Sequence, residues 1–360
     1  MQFNSDLLLN PADETQAKQA FGGVFFALND DALKAFFKPH DKRANDAKAR
    51  SQGWGLSAVV LVTMALIAAS AEPLYHGLGE PWLKVIAALS ALFGVAGALI
   101  GIAGVRYGEK KESWLVERLI TERVRQFHFQ ALIVCAEEIV GAVGNPAAEQ
   151  RFLSKRAKLV ESFVRDLEQH AGAKLTAIVE GRAEHETWLV ESPSIPDAFA
   201  GAHADDLLRA LELLRIRHQL DYANHKLSAD HKLFSSKPGR QAAVLSGAAL
   251  FCMAGLVLLH VLMLFDVLLD APGAIAPHPH VYVIVIAIIA LAIRTIEEGL
   301  QPQTEVERYR HYAATLRQLR DRFNAAQGAE KLAVLRDLEV TSYDEMVTFL
   351  KSNHEVRFIV

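Results

Sequence analysis

Cysteine is scarce and follows no pattern: Cys135 and Cys252 are the only two, and Cys252 falls inside a long apolar run. Two such residues indicate neither a disulfide framework nor a metal site, and both read as packing residues. Strong charge of one sign is also missing. With 38 Lys and Arg against 42 Asp and Glu, the net charge is −4, which argues against a nucleic-acid partner. No Gly-rich phosphate loop ends in Lys-Ser or Lys-Thr, no G-x-S-x-G is present, and no strands alternate with helices to support a nucleotide fold. His185-Glu186 begins like a zinc-protease motif, but Leu189 stands where the second histidine belongs, so two imidazoles cannot share one face. No enzymatic activity, cofactor or metal is expected. The first 53 residues lack a basic segment running into an early apolar core, so no cleaved secretory signal is expected either.

What the sequence does have is long apolar runs. The chain is 51% hydrophobic and 22% charged, so the apolar residues are gathered in spans and the charges elsewhere. Residues 82–104, WLKVIAALSALFGVAGALIGIAG, hold one charge, Lys84, near the first end. Such a stretch, at ~1.5 Å per residue, crosses the ~30 Å hydrocarbon layer of a bilayer. Gly94, Gly97, Gly101 and Gly104 recur at helical spacing and form a stripe along which a second backbone can approach. Three further runs qualify: residues 54–71, residues 241–265 and residues of about 278–296, the last reaching full length only with its ends in the interface.

The expected fold is an all-α integral membrane protein, with four transmembrane helices arranged as two hairpins and long helices extending into a cytosolic helical bundle. Residues 1–53 form a cytosolic lead-in, in which Asn29-Asp30 caps a helix that Pro39 interrupts before a charged helical segment over 41–50. The first hairpin is 54–105. The cytosolic region 106–240 begins with a helix continuing from the second span to Asn145-Pro146, followed by helices over 147–180 and 204–234. The second hairpin is 241–296. Residues 297–360 supply C-terminal cytosolic helices over 304–326, 330–338 and 342–352, with an apolar tail over 355–360 that can dock on them.

Lys and Arg set the orientation. The segments 72–81 and 266–280 contain none, whereas residues flanking the other ends of the spans are basic, so both termini are expected in the cytosol of a bacterial inner membrane. Lys84, beside Trp82, can snorkel to the outer interface.

Each half follows one plan: a charged helix in, a hairpin, and a charged helix out. The run Trp114, Arg118, Glu122, Arg125 follows the first hairpin. Arg215-Ile216-x-x-Gln219-x-x-Tyr222-x-x-x-Lys226 precedes the second, and Glu305, Arg308-Tyr309 and Tyr312 follow it. On these residues the chain resembles the SLATT (SMODS/SLOG-associating two-transmembrane) group of bacterial defence effectors. The resemblance implies a membrane effector linked to a cytosolic sensor or messenger-producing protein. The chain departs from that plan in carrying two hairpins and no nucleotide-binding module.

Spacings of four, four and three put Trp114, Arg118, Glu122 and Arg125 on one side of a helix, where Arg118 and Glu122 can pair. Two readings stand for them and for Arg215, Gln219, Tyr222, Arg308 and Tyr309: a solvated face, or a docking face for a partner or another subunit. His260, inside the third span, is either a neutral histidine bonded between helices or a pore-lining group. Arg294, Glu297 and Glu298 mark the inner interface, and in a ring of subunits they would form a charged mouth. His76, His278 and His280 are too sparse for a metal site. Beyond the lipid bilayer, the expected partner is a second copy of the chain, through small-residue packing. Two functions follow: an oligomeric pore-forming or membrane-perturbing effector triggered from the cytosol, or a non-conducting anchored scaffold that recruits a soluble partner.

Overall fold

A computed structural model describes residues 2–106, 108–182, 187–190, 199–228, 237–268 and 278–355, with side-chain surroundings for all of these except 76, 103–106 and 108–110. Among the described residues there is no strand. The helices are α1 (Pro11–Ala20), α2 (Phe25–Leu28), α3 (Asp31–Ser70), α4 (Glu72–Tyr75), α5 (Glu80–Arg106), α6 (Gly108–Val134) and α7 (Ala136–Ala142). They continue as α8 (Pro146–Val179), α9 (Ala202–Leu211), α10 (His218–Leu227), α11 (Pro238–Leu268), α12 (Pro279–Leu300), α13 (Pro302–Ala325) and α14 (Ala329–Glu355). A π-helical segment, Glu212–Arg217, joins α9 to α10.

The chain divides into two compact units. The first comprises Met1–Asp46, Glu112–Leu227 and Glu307–Glu355. Its core is built from the faces that helical periodicity marks: Leu115, Leu119, Val124, Phe127 and Leu132 of α6 are buried, as are Leu207, Leu211, Leu214 and Leu220. Phe152, Phe163 and Leu167 of α8 are buried too, and Phe163 stacks on Phe127 with ring centroids 4.3 Å apart. Leu159 is only half-buried.

Local chemistry accounts for several element boundaries. Asp30 accepts a hydrogen bond from the Leu33 amide at 3.0 Å, capping α3. Asn145 accepts one from the Ala148 amide at 3.2 Å while Pro146 occupies the first helical position of α8, where a missing N–H costs nothing.

Four expectations change. Pro39 does not interrupt its helix: α3 runs through it from Asp31 to Ser70. Proline removes one helical donor, but Phe37 is buried before it and His40 after it, so packing outweighs the lost bond. The helix expected to reach Asn145 is broken at Cys135, which separates α6 from α7, and its junction with the second span at residue 107 lies outside the described residues. The expected helices 330–338 and 342–352 are one, α14, because Leu335, Leu338, Tyr343 and Met346 keep a single buried face across the gap. The uniform helix expected over 204–234 contains the π segment, and 229–236 lie outside the described residues. The tail after Glu355 lies outside them as well.

The second unit comprises Ala47–Lys111, Ser228–Val306 and Val356–Val360. Four helical stretches here are long and apolar enough to cross a membrane: they fall within Phe25–Ser70, Glu80–Ile102, Pro238–Leu268 and Pro279–Ala325. Their apolar side chains are largely exposed, Phe251 at 80% and Trp82 and Ile102 at 62% each. That is the reverse of a water-soluble core. α5 lies against α3: a Cβ added at Gly97 would sit 2.7 Å from Val62 Cγ2 and 3.0 Å from the Val62 backbone nitrogen. Beside it, Ser90 Oγ donates to the Ala65 carbonyl at 2.9 Å. α11 and α12 pack on each other, with Gly255 against Ile286.

Candidate functional site

The residues that stand out by chemistry in the first unit converge on a line of alternating charges, in which Asp6 is buried and Arg118, Glu122 and Arg125 are half-buried. Arg118 Nη2 lies 2.5 Å from Glu122 Oε1, and Arg125 Nη1 donates to the same oxygen at 3.0 Å. Arg125 Nε lies 3.4 Å from Asp6 Oδ2, which also accepts from Gln219 Nε2 at 3.2 Å. Asp6 comes from the N-terminal segment, Arg118, Glu122 and Arg125 from α6, and Gln219 from α10. The line thus ties three separate parts of the sequence together.

Beside it lies a second pair. Arg215, in the π segment, donates from Nε to Glu339 Oε1 at 2.7 Å and from Nη2 to Oε2 at 3.1 Å. The side chains are 3% and 0% exposed. The guanidinium lies 4.8 Å from the Phe129 ring centroid. A π turn re-aims the side chains that follow it, and here it carries Arg215 into the core rather than along the outward face expected for it.

Electrostatics follow from this burial. Burial opposes the charge on Asp6, but Arg125, with His218, Arg215 and His128, overrides it and holds the carboxyl below its ordinary value. Glu122 is likewise held low against burial by Arg118 and Arg125. Burial raises the Glu339 carboxyl and Arg215 opposes it; with both oxygens receiving guanidinium donors, the carboxylate is the form the bidentate geometry requires. Burial pushes His128 down to about 4, with Asp30 opposing the shift and Arg156 adding to it. Its Nε2 has no partner among the described residues.

An aromatic end closes the line. Phe349 of α14 receives the Trp114 ring edge-on at 6.1 Å, and the Arg118 and Arg308 guanidinium carbons approach its centroid to 5.8 and 4.9 Å. Arg308 also pairs with Glu345. Tyr309 meets Tyr222 at 6.1 Å, and Lys226 lies 5.3 Å from the Tyr222 ring. Of the nine residues considered for docking, Trp114, Arg215 and Tyr309 are buried, and Tyr222 is the exposed one, at 38%.

No family model, no curated protein and no solved structure matches this chain.

In the second unit, a Cβ added at Gly94 would meet Ala65 Cβ at 3.6 Å and one at Gly97 would meet Val62 and Leu61, so this part of the glycine stripe is used between α3 and α5. Gly101 is half-buried, and the surroundings of Gly104 lie outside those described. His260 is exposed on α11, its Nδ1 2.7 Å from the Leu256 carbonyl. Arg294 bonds Glu297 at 3.2 Å and Glu298 at 3.1 Å along α12. His185-Glu186 lies outside the described residues, as does the side chain of His76, and His278 and His280 meet edge to face at 6.0 Å. Among the described residues no three His, Cys, Asp or Glu side chains gather as a metal site would require.

Sequence reasoning missed Asp6, His128, Glu339 and Phe349. For Glu339 a signal existed: Leu332, Leu335, Glu339, Met346 and Leu350 share one helical face, so the acid sits in a core register. Asp6, in a non-helical segment, offered no such pattern.

Proposed function

We propose that this chain is a membrane effector: its four apolar helices insert as two hairpins, copies assemble, and a change in the cytosolic helical unit opens or perturbs the bilayer. The observation that carries this reading is where charge is stored. The span helices expose apolar side chains to their surroundings, whereas the other unit encloses ion pairs, Asp6, Arg215 and Glu339 buried and Arg118, Glu122 and Arg125 half-buried. Removing one member of such a pair leaves the other buried without a partner, which makes these contacts the element that a trigger would have to open. The SLATT-like residue pattern supports the same reading, and the trigger then acts by displacing one of the helices that supply them.

Expression in bacteria loaded with a potential-sensitive dye tests this. Arg215→Met, which opens the buried pair, is expected to depolarise the membrane without a trigger, and adding His260→Leu is expected to suppress that. An unchanged potential, with the variant retained in the membrane fraction, would overturn the effector reading.

A second reading rests on α8, where Arg151 and Lys158 are exposed without an ion pair among the described residues, beside Lys155, itself paired with Glu138 at 2.6 Å. This basic face suits recruitment of an acidic partner by a non-conducting scaffold. Arg151→Glu with Lys158→Glu is then expected to abolish co-purification of that partner and leave the potential untouched.

A further inference from the structure

The charged line has one member that no helix supplies. Asp6 sits in residues 2–9, a stretch without regular structure ahead of α1, yet Phe3, Ser5, Asp6, Leu7 and Leu8 are all buried in the first unit. Side chains of other elements hold this stretch in place. Asp6 Oδ2 accepts from Gln219 Nε2 at 3.2 Å and lies 3.4 Å from Arg125 Nε, and His218 Nδ1 donates to the Phe3 carbonyl at 3.2 Å. Asn4 donates to Asp13 of α1 from its backbone and side-chain amides, both at 3.1 Å, and the Phe3 ring centroid lies 6.5 Å from that of Phe21.

Its own backbone holds it weakly. A helix bonds each amide to the carbonyl one turn back, whereas among the described residues this stretch has one backbone bond within itself, from the Leu8 amide to the Ser5 carbonyl at 3.4 Å. Leu8 is also held at φ +53°, in the left-handed region that a residue with a Cβ occupies only at a cost. That strain is relieved when the stretch leaves. Against it stands the burial of Phe3, Leu7 and Leu8, which keeps the stretch seated. Arg118, Glu122, Arg125, Arg215 and Glu339 all ride on helical backbone and can part only if a helix moves. Asp6 does not, and segments with few backbone bonds open at lower free energy than the helices they pack on.

We infer that residues 2–9 are an autoinhibitory latch: seated, they tie α6 to α10 through Asp6 and Phe3, and their release is the first step by which a trigger frees those helices. The charge on Asp6 sets the latch. Without it Arg125 retains Glu122, and Gln219 loses a charged acceptor. In chain order α6 follows the second apolar span and α10 precedes the third, so parting them acts on both hairpins. The inference rests on the effector reading above and adds which part yields first, before any helix is displaced.

Maleimide labelling of the full chain in freeze-thawed membranes, read site by site by mass spectrometry, tests it. Ser5→Cys, a small change at a buried position, reports release of the stretch, and the native Cys135, buried in the same unit, reports unfolding of that unit as a whole. Adding Asp6→Asn is expected to raise labelling at position 5 roughly 10- to 100-fold, the range for losing a hydrogen bond to a charged group. Cys135 is expected to stay protected, and cells expressing Asp6→Asn to depolarise without a trigger. Phe3→Ala, which removes an apolar anchor and keeps the charge, is expected to do the same. Unchanged labelling at position 5 in both variants, or labelling of Cys135 to the same extent, overturns the latch. So does release without depolarisation where Arg215→Met depolarises, and that result leaves the effector reading standing. If Arg215→Met leaves the potential unchanged as well, the effector reading fails and the latch's inhibitory role fails with it.

Discussion

Arg215 and Glu339 show how a single residue governs the first unit. A buried ion pair adds little net stability, because desolvation offsets attraction, but removing one partner strands the other. Arg215→Met or Glu339→Gln alone is therefore expected to cost roughly 3–5 kcal/mol, read as a lower urea midpoint in detergent, while the double change Arg215→Met with Glu339→Leu recovers most of the loss. His128 sets a pH dependence of its own. Folding lowers it from 6.5 to about 4, so between those values the unfolded chain takes a proton that the folded chain refuses. Stability is then expected to fall as pH drops from about 6.5, by up to roughly 1.4 kcal/mol per pH unit, and His128→Phe is expected to flatten the slope between pH 6.5 and 4.5. Asp6 and Glu122 have lowered carboxyls, so their contribution is complete above the ordinary carboxylate range and is lost only at more acid pH, as each titrates through its folded value.

At the scale of elements, the contact between α3 and α5 turns on one glycine. A methyl at Gly97 would press on the Val62 backbone nitrogen at 3.0 Å, which cannot move without its helix, whereas one at Gly94 would meet Ala65 Cβ at an ordinary 3.6 Å. Gly97→Ala is expected to cost roughly 1–3 kcal/mol through overpacking, and Gly94→Ala to be near neutral, measured as the midpoint of thermal unfolding in lipid nanodiscs. Equal effects would show that the helices do not meet at that point. The same local reasoning explains why α3 tolerates Pro39 and why α14 does not stop near Thr341: a continuous buried face outweighs one weak residue. Periodicity marks these faces in the sequence. It does not mark how far each helix continues, because that depends on what the face packs against.

For the whole molecule, the placement of Lys and Arg leads to a topology. With none in 72–81 or 266–280, reporters fused at residue 77 and residue 273 are expected to face away from the cytosol, and reporters at both termini to face it. Termini reporting from opposite sides would remove the hairpin arrangement and the effector reading with it. Four long apolar helices are legible in the amino-acid order because a membrane span is specified by length and composition alone, with no need of a partner.

Chain order and composition by themselves determined the helical class, the four apolar stretches, most of the buried faces in the polar helices, and the small-residue stripe on α5. Tertiary structure alone decided that Arg118, Glu122 and Arg125 meet Asp6, that Arg215 meets Glu339 across 124 positions of sequence, and that Trp114 and Arg308 share Phe349. The reason is physical: hydrophobic burial has a period that can be read along a chain, whereas a buried charge is stabilised by a partner whose position only the folded backbone fixes.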